Sequence, residues 1–247
     1  MASAKYETAV TLPTNGNLYE DGPVDVILRS MTTQEEKLLY GSTSGDEKIK
    51  AIIKACIVEP KDLDINRLVS EDYYFLLLKL RILTYGNEYK IEPVCPYCHH
   101  SSNVTVDLDS FPVYLLDDDF SEPIRVELPM SGDVLECKLL RLKDSNAARK
   151  QAKKFARGSK LSADEIAYTY RLAKQILSIN GKETNYAEAQ QYVQNMHARD
   201  SAYMQWKINN YKLGYDMTVD IESCPNCGEE FEVPMPMSSE FFRPSFD

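Results

Sequence analysis

Apolar positions along the chain first alternate and then recur at spacings of three and four, and this change of period happens twice in the same order. Each occurrence opens on an apolar-Leu-Pro turn, Val10-Thr-Leu12-Pro13-Thr-Asn-Gly16 and then Val126-Glu-Leu128-Pro129-Met-Ser-Gly132. Alternation over residues 24–29 and 134–141 predicts strands with one buried face. Thr32 or Thr33 in the first half, and Asp144 or Ser145 in the second, are the expected caps of the helix that follows. Spacing at three and four predicts helices over residues 48–58 and 163–179, ended by Pro60 and Gly181.

The closest parallel comes next. The segment from Asp72 to Gly86 matches that from Asp200 to Gly214: each runs fourteen steps from acid to glycine, with Lys79 against Lys207. An acid at the start suits the positive end of a helix dipole, and a glycine past the end takes the left-handed cap. Gln205 and Asn210 stand where the first segment has Leu77 and Ile82, so the first helix is expected to be the better buried. After each glycine come a tyrosine, an extended segment and a Cys-Pro-x-Cys: Tyr89 leads to Cys95-Pro-Tyr-Cys98, and Tyr215 to Cys224-Pro-Asn-Cys227. The aspartates are offset by 128 residues and the cysteines by 129. Four matches in order at nearly constant offset predict an internally duplicated α+β chain of strand-helix halves. The halves are expected at residues 1–112 and 124–247, joined by an acidic linker at 113–123 around Asp117, Asp118 and Asp119.

The two Cys-x-x-Cys turns carry the chemistry. Such a turn presents two sulfurs to a tetrahedral ion while its backbone N–H groups stabilise the thiolates. Proline stiffens each turn, and Gly228 tolerates the positive φ that a knuckle needs. Flanking strands, residues 89–94 and 103–108 around the first pair and 217–221 and 231–233 around the second, give each the frame of a zinc ribbon. Zinc ribbons commonly close over about 15 to 20 residues, far less than the gap here. Duplication resolves this: if equivalent knuckles meet at a pseudo-twofold axis, Cys95, Cys98, Cys224 and Cys227 form one shared zinc-ribbon-like site, with one structural zinc per chain. Four thiolates leave no position for water, so no metal catalysis is expected.

Other candidates carry less. His99 and His100 follow the first knuckle and are alternative ligands. Cys95-Pro-Tyr-Cys98 also matches the glutaredoxin redox motif, but that motif needs a helix after it, and the residues here read as turn and strand. Cys56 and Cys137 read as small buried hydrophobes. His197 has no evident nucleophile or metal partner, and phosphate loops and hydrolase motifs are missing. The run Asp117 to Asp119 lacks the spacing of a calcium loop. Phe241, Phe242 and Phe246 near the C-terminus are expected either to tuck onto the core or to enter a partner.

Composition narrows the partners. With 38 acidic against 28 basic residues the net charge is −10, which gives phosphate backbones no general reason to approach. The stretch 149–160 is basic and suits an acidic protein. No apolar run approaches the roughly 20 residues of a membrane span, and the first residues carry no signal core, so the chain is expected to stay where it is made. Six cysteines without an export signal favour metal over disulfides.

Three strings then carry a resemblance: Leu12-Pro-Thr-Asn-Gly-Asn-Leu-Tyr19, Met31-Thr-Thr-Gln-Glu-Glu-Lys37, and Leu80-Arg-Ile-Leu-Thr-Tyr-Gly86 leading into Cys95-Pro-Tyr-Cys98. Together they resemble the T4-type bacteriophage baseplate protein family, chiefly over residues 9–110. The resemblance implies a late, non-enzymatic viral protein of the baseplate hub region. It would either remain in the virion tail or act in the host cytoplasm during assembly, with other hub and tail proteins as its subunit partners. A zinc-ribbon nucleic-acid-binding module and a Cys-Pro-Tyr-Cys thiol oxidoreductase are the competing readings.

Overall fold

In the computed structural model the described residues are 6–19, 25–40, 45–157, 160, 162–235 and 239–242. Strands β1 (Glu7–Thr11) and β2 (Asp25–Arg29) pair antiparallel, with Val10 opposite Val26, and helices α1 (Thr33–Leu39) and α2 (Gly45–Cys56) follow. The chain passes straight from α2 into β3 (Ile57–Glu59), which adds to β2 across a register shift at Ile27/Leu28. Next come α3 (Ser70–Tyr85) and the hairpin β4 (Glu88–Ile91) and β5 (Val104–Asp107). A two-residue strand β6 (Val113–Tyr114) lies in the connector.

The same order then recurs. Strands β7 (Ile124–Glu127) and β8 (Val134–Cys137) pair antiparallel, followed by α4 (Leu142–Phe155) and α5 (Ala163–Gln175). Helix α5 passes straight into β9 (Ile176–Ile179), which adds to β8 across a register shift at Glu136/Cys137. Here β10 (Lys182–Glu183) extends the sheet and α6 (Tyr186–Asn195) is inserted before α7 (Ala198–Asn209). Strand β11 (Gly214–Tyr215) pairs with β6, and the hairpin β12 (Thr218–Ile221) and β13 (Phe231–Pro234) completes the set.

Both Leu-Pro turns are clamped by the acid that opens the last long helix of their half. The buried Asp72 carboxylate accepts from Thr14 N at 3.1 Å, Thr14 Oγ1 at 2.6 Å and the Tyr19 hydroxyl at 2.7 Å. The buried Asp200 carboxylate accepts from Met130 N at 2.7 Å and Ser131 N at 3.1 Å. Thr14 and Met130 each follow the proline of their turn. The two acids therefore do more than complement a dipole: they satisfy turn N–H groups that the Leu-Pro bend removes from regular pairing.

Several expected boundaries move. Residues 57–58 and 176–179 are strand, because these segments, with β-branched Ile57, Val58, Ile176 and Ile179, reach a sheet edge and pair there. The strand expected over 134–141 ends at Cys137. Thr32 caps α1 in a capping box with Glu35, but neither Asp144 nor Ser145 caps α4. That helix starts at Leu142 after an Arg141 cap without a side-chain bond, so Asp144 falls in its first turn and pairs with Lys138 at 3.0 Å. Gly86 follows α3 with the positive φ expected, 84°, but its ψ of 175° makes it extended rather than a left-handed helical cap. Gly214 is no helix cap: α7 stops at Asn209, and Gly214, at φ 78°, opens β11 with the site of its missing Cβ 3.1 Å from Glu71 Cβ.

Two main cores form. The first collects Val26, Leu28, Ile52, Ile53, Leu76 and Leu78 together with Val219, Ile221, Met235, Phe241 and Phe242 from the far end of the chain. The second holds Val126, Leu135, Ile176, Val193, Met204 and Ile208, with Val69 from the base of α3. Helix α3 is buried on nearly every side, whereas α7 buries only Asp200, Met204 and Ile208, in line with its polar substitutions. The terminal aromatics tuck inward: Phe241 and Phe242 are buried, and the buried Arg81 donates through Nε to the Phe241 carbonyl at 2.9 Å. Phe246 lies outside the described residues.

Candidate metal centre

Each hairpin ends in a knuckle whose backbone is fixed by the same two bonds. In the first, His99 N donates to Cys95 O and Cys95 N to His100 O, both at 2.9 Å. In the second, Gly228 N donates to Cys224 O at 2.8 Å and Cys224 N to Glu229 O at 2.9 Å. His99 and Gly228 occupy the same place in the turn, and both have positive φ, 58° and 78°. His99 thus serves the turn, and among the described residues neither it nor His100 is in the gathered sulfur cluster. Among the described residues the hairpins β4–β5 and β12–β13 are separate two-stranded sheets, brought side by side by the shared first core.

That packing brings together the four cysteines singled out in the sequence. Their Sγ atoms all lie within 4.8 Å of one another. Cys95 Sγ is 3.7 Å from Cys227 Sγ and Cys98 Sγ is 3.6 Å from Cys224 Sγ, so the short contacts run between knuckles. Zinc–sulfur bonds of about 2.3 Å at tetrahedral angles require sulfurs about 3.8 Å apart. The donor set and its spacing therefore fit a closed four-thiolate ion. The first cysteine of each knuckle is buried, while Cys98 is half-buried and Cys227 exposed, so one edge of the cluster meets solvent.

The thiols do not share one proton affinity. The Asn226 side chain and the His100 backbone hold Cys98 down to about 6. Although the Glu229 amide favours the Cys227 thiolate, desolvation and the three neighbouring sulfurs push that thiol up to about 12. Crowded sulfurs cannot all ionise without a cation between them. Cys56 and Cys137, by contrast, are buried and pushed up to about 12 by that burial, as inert core thiols should be.

Two roles escaped the sequence. His197 caps α7, its Nδ1 accepting from Arg199 N at 3.1 Å; a histidine directly before a helical run was the available signal. Tyr19, at the end of the first Leu-Pro turn, bridges Asp72 and the Val69 N–H.

The family described as T4 bacteriophage base plate protein matches residues 3–243, nearly the whole chain and well beyond residues 9–110. No curated protein and no solved structure matches.

Proposed function

Because the chain belongs to the T4 bacteriophage base plate protein family, we propose that it is a zinc-stapled interaction scaffold of the baseplate hub region of a contractile-tailed phage. It serves there as a structural or assembly subunit. The family supports the structural role in the tail baseplate and contact with other tail or baseplate proteins. The single observation behind the zinc is the gathering of four sulfurs, from knuckles more than a hundred residues apart, into a space of 4.8 Å.

Internal duplication is part of the same reading. It is supported by the recurring strand–strand–helix–helix–strand order, the paired register shifts, the two clamped Leu-Pro turns and the two identically bonded knuckles. In this reading residues 1–112 and 124–247 are the repeats, and their knuckles meet near a pseudo-twofold axis to hold one zinc per chain.

The competing readings have less support. Glu92, Asp107, Glu222, Glu229 and Glu230 around the knuckles are all exposed, which makes this surface acidic and unsuited to nucleic acid. The Cys-Pro-Tyr-Cys turn leads into β5, not into the helix whose N-terminus would activate a redox thiol. No helix among the described residues is long and apolar enough to cross a membrane.

Native mass spectrometry before and after acid release of metal tests the proposal. One zinc per chain, abolished by Cys95→Ser or Cys224→Ser, is expected. Stable metal-free protein with rapidly alkylated thiols would refute the zinc staple, and failure to bind hub or wedge proteins on co-expression would refute the hub assignment.

A further inference from the structure

Helices α4 and α5 form an arm with a seam of its own. Ala148, Ala152, Ala167 and Tyr170 make a small cluster separate from both main cores. With 14 residues α4 is twice as long as α1, its counterpart in the first half, and so reaches about 10 Å further. Its outer face is basic: Lys143, Lys150, Lys153 and Lys154, with Arg157 and Lys160 just beyond, are all exposed. Between Lys143 and Lys160 lie seven lysines and arginines and one aspartate, in a chain of net charge −10. Among the described residues Lys150, Lys153 and Lys154 form no ion pair. Phe155, at the edge between this face and the seam, is 61% exposed, with its ring 6.2 Å from that of Tyr170.

Cations near a helix C-terminus are favoured by the dipole, but that effect fades within the last turn. It accounts neither for Lys143 and Lys150 nor for the outer side of Phe155, which Tyr170 does not cover. The complementary chemistry lies on the connector, where exposed Asp117, Asp118 and Asp119 follow Leu115, itself 60% exposed, and the partly exposed Val113. The connector is tied to the start of α4 by the Arg141–Glu122 ion pair at 2.8 Å. Lys150, Lys153 and Lys154 sit about 13 to 20 Å further along the helix axis. Two copies satisfy both faces where one does not.

We infer that the α4 arm of one copy docks on the connector of a second copy, with Phe155 against Leu115 and Val113 and the lysines against Asp117 to Asp119. The arm and its acceptor are different surfaces, so two copies either exchange arms about a twofold axis and close as a dimer or join head-to-tail until a ring closes. The net charge of −10 does not prevent it. At physiological salt the screening length is about 8 Å, so remote like charges are damped while the contacting opposite charges are not.

Charge exchange on the full-length protein tests this, read by sedimentation velocity over a concentration series. One variant carries Lys150→Glu, Lys153→Glu and Lys154→Glu; the other carries Asp117→Lys, Asp118→Lys and Asp119→Lys. Wild type should associate at about 0.15 M salt and revert to monomer near 0.5 M. Each variant alone should be monomeric at concentrations about tenfold higher, with circular dichroism unchanged. An equimolar mixture should regain association, since each variant's arm then faces an opposite charge. A monomeric wild type, association that survives either reversal, or a mixture that stays monomeric would overturn the inference. So would a monomeric wild type whose arm instead retains duplex DNA or anionic phosphatidylglycerol vesicles.

Discussion

A buried carboxylate that accepts three donors, as Asp72 does from Thr14 and Tyr19, cannot be removed without stranding each of them. Asp72→Ala should therefore lose about 2–4 kcal/mol of unfolding free energy. Asp72→Asn, which keeps an acceptor for Thr14 N, should lose roughly half as much, measured by urea denaturation at neutral pH. Glu35 gives a pH signature. Its hydrogen-bonded pairing with Arg29, reinforced by Thr32, lowers the carboxyl from 4.5 to about 2 in the fold. A depressed folded value means that its stabilisation is complete above about pH 4.5 and is lost as pH falls toward 2. The stability gap between wild type and Glu35→Gln should accordingly be widest above pH 4.5 and close on acidification toward 2, read by denaturant melts across that range.

At the scale of elements, glycines with similar φ make different demands. A methyl added at Gly86 would meet nothing within 4 Å, so Gly86→Ala should cost only the backbone strain at φ 84° and ψ 175°, about 1–2 kcal/mol. Gly214 adds a Glu71 contact at 3.1 Å, and Gly214→Ala should cost about 2–3 kcal/mol, visible as the larger fall in thermal midpoint. This difference was hidden in the sequence, where both glycines close a fourteen-residue segment. What could be read there was local: α2 and α5 follow from apolar spacing, and the cap of α1 from the threonines at 32 and 33. What could not be read was set by pairing between distant segments. Ile57 and Ile176 continue the apolar rhythm of a helix, and only a neighbouring strand turns them into sheet. Two Cys-x-x-Cys pairs named all four sulfurs in advance because that chemistry is local. The clamps at Asp72 and Asp200 depend on turns some sixty and seventy residues upstream.

At the scale of the molecule, the proposed zinc would make the sulfur cluster a tie between two stretches of chain that sequence separates widely, and such a cross-link contributes chiefly by restricting the unfolded state. With one zinc bound, chelation or Cys224→Ser should lower stability by about 3–5 kcal/mol and open the β12–β13 hairpin first, measured as loss of hydrogen-exchange protection there. The hairpin also supplies Val219, Ile221 and Met235 to the first core, and Phe241 and Phe242 close it. This return of the last segment to the first core has a consequence for synthesis. A chain emerging from the ribosome at about 5–20 residues per second exposes the first core's apolar wall long before the residues that cover it exist. Until Cys227 emerges, Cys95 and Cys98 can offer an ion only half a coordination shell. On the zinc-bound reading, metal capture waits for the second knuckle, and a chain stopped before Cys224 would be left with an open wall and an unclosed thiol pair.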